Sequence, residues 1–323
     1  MADLPRWVAR GSHPVSRAVV PEWAVVDGEA MAVFAQFPGD AVPEVLPVVV
    51  LSHGLGGSHL GYATLGAHLA SHGFAVLHPQ FLDSVYRLQV VESLAVVGGP
   101  GADNDEAVRA AMRPLLFDPQ HWSSRVERVR ALIDSLPSQS HLPVGLSPQG
   151  VTLVGHSYGA YVTQLLLGVR LFGVGQGMPT SAHPAVACGI LLSPQGSGDR
   201  GLTDRSWEGV SAPLLEVTAT QDFGPHGEGL AWRREPFDRA RSARKHLSIV
   251  RGGDHYLGGI PAAEDDGPVP GTEHTTERGV RRAVSAVALA LAQWARGDTE
   301  AGEWLRSGPI GSVFDHEHLD PGH

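Results

Sequence analysis

One cysteine, Cys188, stands in 323 residues. Its solitude excludes an intrachain disulfide and a cysteine-built zinc site. Lysine is equally scarce: Lys245 stands alone in the 24 cationic side chains, the rest being arginine, a compositional bias that says little about function. The formal net charge is −10. An acidic chain repels phosphate backbones, so no nucleic acid is expected as a partner. Long apolar runs are missing too. The longest, AVSAVALALA at 283–292, is roughly half of a bilayer crossing, so no integral membrane segment is expected. The opening MADLPRWVARGSHP lacks the apolar core of a secretory signal. A cytoplasmic protein is the expectation, although a chain that had lost a signal peptide would look the same.

What the sequence does have is apolar content, 42% of residues, with 40 glycines and 24 prolines to make turns. Short apolar runs alternate with helical segments, the order of strands joined by crossover helices. Strands are predicted at the end of 42–52 and at 74–79, 151–155, 187–194, 213–220 and 246–252. Helices are predicted over 60–71, 123–136, 158–170, 236–245 and 277–294. Ser124 and Glu127 have capping-box spacing, and Gly73 follows its helix as a C-terminal cap. Val280, Val284, Val287, Leu291 and Trp294 advance by three and four, forming one apolar stripe. The fold class is therefore α/β: one domain, with a mostly parallel sheet covered by helices on both faces. PVSRAVV, EWAVVDG and MAVFAQF follow one another without a helix between them and predict an antiparallel N-terminal edge. Residues 84–122 fit no compact crossover and read as an insertion, either a lid or a solvated loop. Residues 298–323 read as a tail.

GHSYG at 155–159 follows the strand VTLV and precedes a helix. That is the setting in which G-x-S-x-G places a serine on a strained turn at the carboxyl end of a strand. Ser157 is the expected nucleophile, and the Tyr158 amide at the helix start is an expected oxyanion donor. SHGLGG at 52–57 closes another strand. Its glycines free backbone amides to turn into a site, and the Leu55 amide is the second expected donor, with His53 holding the turn. The chain order Ser, acid, His points to His255, in a glycine-flanked loop after the last strand. For the acid, Asp222 directly follows a strand and is preferred. Asp199 is the alternative. Asp254 is adjacent to His255, and Glu216 lies inside a strand. The acid's role would be to fix the imidazole tautomer and stabilise the imidazolium. Cys188 opens an apolar strand and reads as a core residue rather than a rival nucleophile. His316, His318 and His323 fall in the tail and suggest no metal site.

SHGLGG, GYATLGAHLASHGFAVLHP, GHSYGA, LLSPQGSG and GGDHYLGG together resemble the α/β hydrolases. Within them they resemble the dienelactone hydrolase-like branch, which is similar to platelet-activating-factor acetylhydrolases and more distantly to chlorophyllases and bacterial cutinases. The resemblance spans roughly residues 40–297. It implies the α/β-hydrolase fold and a serine esterase that needs no metal or organic cofactor. Three departures stand out. Dienelactone hydrolases carry a cysteine where this chain has Ser157. The acetylhydrolases carry their acid after the strand that here ends in Pro194 and Gln195. Cutinases have a Pro-Gly-aromatic turn where this chain has His53, Gly54 and Leu55. The expected substrate is a small-molecule ester with an uncharged acyl group of short or medium length. Gln195, Trp207, Phe223 and Trp232 are candidates for its pocket. A polyester or a lipid is the alternative substrate, and a hydrolase fold kept as a binding module is the alternative class.

Overall fold

The computed structural model describes residues 5–40, 45–84, 112–173, 181–198, 200–262, 277–308 and 310–319. Its centre is a nine-stranded sheet. The strands, in chain order, are β1 (Val15–Val26), β2 (Glu29–Pro38), β4 (Val48–Ser52), β5 (Ala75–Pro79), β7 (Val151–His156), β8 (Val186–Leu192), β9 (Leu214–Ala219), β10 (Lys245–Val250) and β11 (Phe314–Leu319). Two short strands, β3 (Val45–Leu46) and β6 (Gly145–Leu146), pair separately. The spatial order is β1-β2-β5-β4-β7-β8-β9-β10-β11. From β5 to β10 every pairing is parallel. Both outer pairings, at β1–β2–β5 and at β10–β11, are antiparallel.

The parallel strands read as unbroken apolar runs because both faces are covered. Every residue of β4, β5, β7, β9 and β10 is buried. Side-chain alternation divides β4 between two cores: Val48 and Val50 face one, Val49 and Leu51 the other. Helices α2 (Pro119–Ser135) and α3 (Tyr158–Leu166) cover the first face, while α1 (Ala63–Ser71), α6 (Glu277–Ala295) and α7 (Thr299–Arg306) cover the second. The stripe Val280, Val284, Val287, Leu291 and Trp294 is buried along its length. Two small helices, α4 (Leu230–Arg233) and α5 (Glu235–Arg239), lie between β9 and β10. The N-terminal edge is a hairpin that turns at Asp27 and Gly28, both at positive φ, as a two-residue Asp-Gly loop favours.

Several boundaries differ from those expected. Helix α2 starts at Pro119, not 123. Asp118 is its N-cap, accepting from the Gln120 amide at 2.9 Å, so Ser124 and Glu127 lie inside the helix. The segment expected as one helix over 236–245 stops at Arg239, because Ala240 is extended and Lys245 already belongs to β10. The ammonium of this lone lysine reaches back to the end of the helix. It caps α5 by donating to the carbonyls of Phe237, Asp238 and Ala240. Helix α3 ends at Leu166, with Gly168 at φ 103° just beyond it. The stretch after 297, read as a tail, holds α7 and the edge strand β11. Of the proposed insertion, residues 85–111 lie outside the described residues; 112–122 form a short 3-10 turn and the start of α2.

Candidate active site

Four of the parallel strands, β4, β7, β9 and β10, end at the same edge of the sheet, and the loop after each carries one of the expected groups. The loop after β7 is the tightest. Ser157 has φ 53° and ψ −119°, a conformation that costs an L-residue on the order of 1–3 kcal/mol and persists only when its surroundings enforce it. Those surroundings are glycines. A Cβ at Gly155 would lie 2.1 Å from the Gly159 carbonyl oxygen, and a Cβ at Gly159 would lie 2.0 Å from that of Ser52. Only bare Cα atoms let α3 start this close to β7 and β4. The Ser157 amide is held by the Leu192 carbonyl at 2.9 Å.

His255 Nδ1 lies 2.7 Å from Asp222 Oδ1, and His255 Nε2 lies 2.9 Å from Ser157 Oγ. An ionised carboxylate only accepts, so Nδ1–H donates to Asp222. Nε2 is then bare and accepts from the serine hydroxyl. Asp222 is fully buried and its other oxygen accepts from Thr218 Oγ1 at 3.0 Å. Burial by itself would raise its pKa. The hydrogen bond and charge of His255, then Arg233 and Ser193, outweigh burial and bring the carboxyl down to about 2. The acid turn is tied to the histidine loop by Gln221 N–H donating to the Gly253 carbonyl at 3.0 Å. The other acid candidates lie elsewhere. Asp254 caps the Tyr256 amide. Glu216 is buried in β9 beside the Phe237 amide, with its pKa pushed well up by burial. Asp199 is outside the described residues.

The 53–57 loop approaches the serine closely: a Cβ on Gly54 would sit 3.5 Å from that of Ser157. His53 donates from Nδ1 to the Gly54 carbonyl at 2.7 Å and packs at a tilt against the Phe81 ring, so it holds the turn. Burial, then Arg125, keeps it neutral, with a pKa of about 3. Neither the Leu55 nor the Tyr158 amide has a hydrogen-bond partner among the described residues. The Gly54 carbonyl points to Arg125, and in a trans peptide the Leu55 N–H points the opposite way.

Two arginines that sequence reasoning missed grip these loops. Arg125, on α2, pairs with Asp83 at 2.6 Å, both side chains buried. It also donates to the carbonyls of His53 at 2.6 Å and Gly54 at 3.1 Å. Its guanidinium lies over the rings of Phe81 and Tyr158. Arg233, on α4, pairs with Asp222 at 2.9 Å and donates to the carbonyls of Ser193, Pro194, Asp222 and Phe223. A signal existed for Arg125. It falls three residues after Trp122 and one before Val126, on the stripe that α2 buries through Val129 and Leu132.

The pocket candidates separate. Phe223 is 61% exposed beside Asp222. Trp232 stacks under Arg233 and donates to the Ser197 carbonyl. Gln195 is buried, its backbone carbonyl accepting from Gln164 Nε2. Trp207 is buried in the core and donates to Gln164 Oε1 at 2.7 Å. Cys188 is buried beside Thr152, and burial pushes its thiol up to about 11, far from a thiolate. His316 and His318 lie on β11 against His246; among the described residues no group of three or more His, Cys, Asp or Glu could hold a metal ion. None of the described helices is long and apolar enough to cross a membrane.

A mostly parallel sheet with antiparallel edges, helices on both faces and a serine on a sharp strand-to-helix turn defines the architecture of a hydrolase-type α/β protein. Residues 49–322 match the model of the alpha/beta hydrolase family, and the chain belongs to that family, which implies a hydrolase. No curated protein matches the sequence.

Proposed function

We propose that the protein is a serine carboxylesterase acting on uncharged esters of short or medium acyl length. The observation that carries this is the continuous path from Asp222 through His255 to Ser157, at 2.7 and 2.9 Å, ending on a serine held at positive φ. Ser157 Oγ attacks the ester carbonyl while His255 Nε2 takes its proton. The alkoxide leaves with that proton from the imidazolium. Water, deprotonated by the same nitrogen, then attacks the acyl-enzyme and releases the acid. Asp222 keeps Nδ1 protonated throughout. The Leu55 and Tyr158 amides would donate to the oxyanion of each tetrahedral intermediate, in a place where one such donor is worth on the order of a hundredfold in rate or more.

The acyl preference rests on the surroundings. Phe223 and Tyr256, each next in sequence to a member of the triad, present exposed aromatic surface, and Leu55 adds a partly buried alkyl group. The resemblance to the dienelactone hydrolase-like branch agrees with an ester as substrate. The test is a fluorophosphonate probe with a panel of p-nitrophenyl esters of increasing acyl length, a polyester film and a phospholipid. One adduct at Ser157 and fastest turnover of acetate or butyrate are expected. A chain that neither reacts with the probe nor turns over any ester would be a binding module, and the proposal would fall.

A further inference from the structure

Tyr62 and His156 are buried between the 53–57 loop and the His255 loop, and no step of the proposed esterase chemistry uses them. Their hydrogen bonds have only one consistent direction. His156 Nε2 lies 2.8 Å from the His255 backbone oxygen. A carbonyl cannot donate, so Nε2 carries the proton. Nδ1 is then bare in the neutral ring and must accept, and the Tyr62 hydroxyl, 2.9 Å away, is the donor. With its proton committed, the phenol oxygen accepts from the Gly54 N–H at 3.2 Å. The result is one directed chain: Gly54 N–H to Tyr62 O–H to His156 Nδ1, and Nε2–H to the His255 carbonyl.

Each end of this chain is fixed from a second side. The His255 carbonyl also accepts from Ser193 Oγ at 3.0 Å. The Tyr62 amide donates to the Pro261 carbonyl at 3.3 Å, beyond the histidine loop. The His53–Gly54 peptide that supplies this N–H is held at its carbonyl by Arg125 at 2.6 Å. Tyr62 itself sits at φ 61° at the start of α1, a strained setting for a tyrosine that only packs. Burial, then the charge of His255, keeps His156 neutral, with a pKa of about 3, so the chain does not break near neutral pH.

We infer that Tyr62 and His156 are positioning residues that set the Leu55 amide and the His255 ring at a fixed separation, coupling the oxyanion loop to the base. This rests on the esterase reading above. Tyr62→Phe removes the one atom shared by Gly54 and His156. Its kcat is expected to fall about 10- to 100-fold, as a small misplacement of reacting groups does, with KM changed less than about threefold. His156→Leu should behave alike. His156→Gln presents one acceptor and one donor in nearly the same places and should recover kcat to within about threefold of the parent. The double variant Tyr62→Phe/His156→Leu should lose no more than the worse single variant, because both break the same chain.

Tyr62→Phe within twofold of the parent kcat overturns the inference. So do losses that multiply in the double variant, or a His156→Gln no better than His156→Leu. If His156→Leu fails to fold, Tyr62→Phe and His156→Gln decide alone. Imidazole 15N NMR of the full chain reads the chain without any substrate. An Nε2–H tautomer at His156, with an Nδ1 signal that moves in Tyr62→Phe, supports it; an Nδ1–H tautomer overturns it. Ser157→Ala separates the two ideas: if that variant keeps full turnover, the esterase reading fails and the NMR result alone judges the chain.

Discussion

Mild acid should destabilise this protein well above the range in which its carboxylates titrate. His53, His78, His156 and His246 are each fully buried. Burial, with smaller contributions from neighbouring charges, lowers each from about 6.5 to about 3. The native chain therefore refuses four protons that the unfolded chain accepts once pH drops below about 6.5. The stability these rings contribute as neutral groups is intact above that value, and it is lost as pH falls from about 6.5 toward about 3. At pH 5.5 each histidine favours the unfolded state by about 1.4 kcal/mol, or roughly 6 kcal/mol for the four. A domain is typically stable by about 5–15 kcal/mol, so from about two-fifths to all of the margin is gone. Asp222, held at about 2, adds to the loss only below about pH 4. Urea titrations followed by circular dichroism at half-unit steps from pH 8 to 5 measure the effect. The unfolding free energy should be nearly flat down to pH 7 and then bend toward a slope of at least four protons, His68 and His316 being lowered by burial as well. A flat curve to pH 5 would refute the claim that these rings are neutral in the fold.

The remaining predictions concern the site and its frame. Ser157→Ala should abolish p-nitrophenyl acetate hydrolysis while leaving the circular dichroism spectrum and melting temperature near those of the parent. Asp222→Asn should reduce kcat by about 10⁴-fold through the wrong imidazole tautomer; near-normal rates would move the acid to another residue. Gly155→Ala forces a methyl to within 2.1 Å of a backbone oxygen, and should destabilise by at least about 1–3 kcal/mol in urea unfolding. Arg125→Met leaves the Asp83 carboxylate buried without its partner and should cost about 3–5 kcal/mol. Substituting Asp83→Asn in that variant should restore part of the loss.

The parts legible in the sequence were those set by local rules. The parallel strands announced themselves as short apolar runs, and α6 through a stripe that repeats every three or four residues. The elbow serine was visible because a strand, two glycines and a helix must coincide there. Boundaries were harder. Asp118 caps α2 from within a stretch that looks like loop, and Ser124 and Glu127 imitate a start one turn later. Residues 314–319 pair with β10 through contacts more than sixty positions apart, which no local pattern records. Arg125, Arg233, Tyr62 and His156 act through backbone groups of distant loops. Nothing in their own neighbourhood distinguishes them from surface arginines or core aromatics, save the place of Arg125 on a buried stripe.

Arg125 and Arg233 hold main-chain oxygens, which every amino acid supplies. The side chains of Leu55 and Phe223, on two of those loops, take no part in these contacts. On the proposed esterase reading, Leu55 and Phe223 can be exchanged for others while the arginines keep their main-chain contacts, so changes in what the mouth admits would be separable from changes in how the chemistry is run. A library confined to these two positions should retain folded, probe-reactive members while shifting the preferred acyl length.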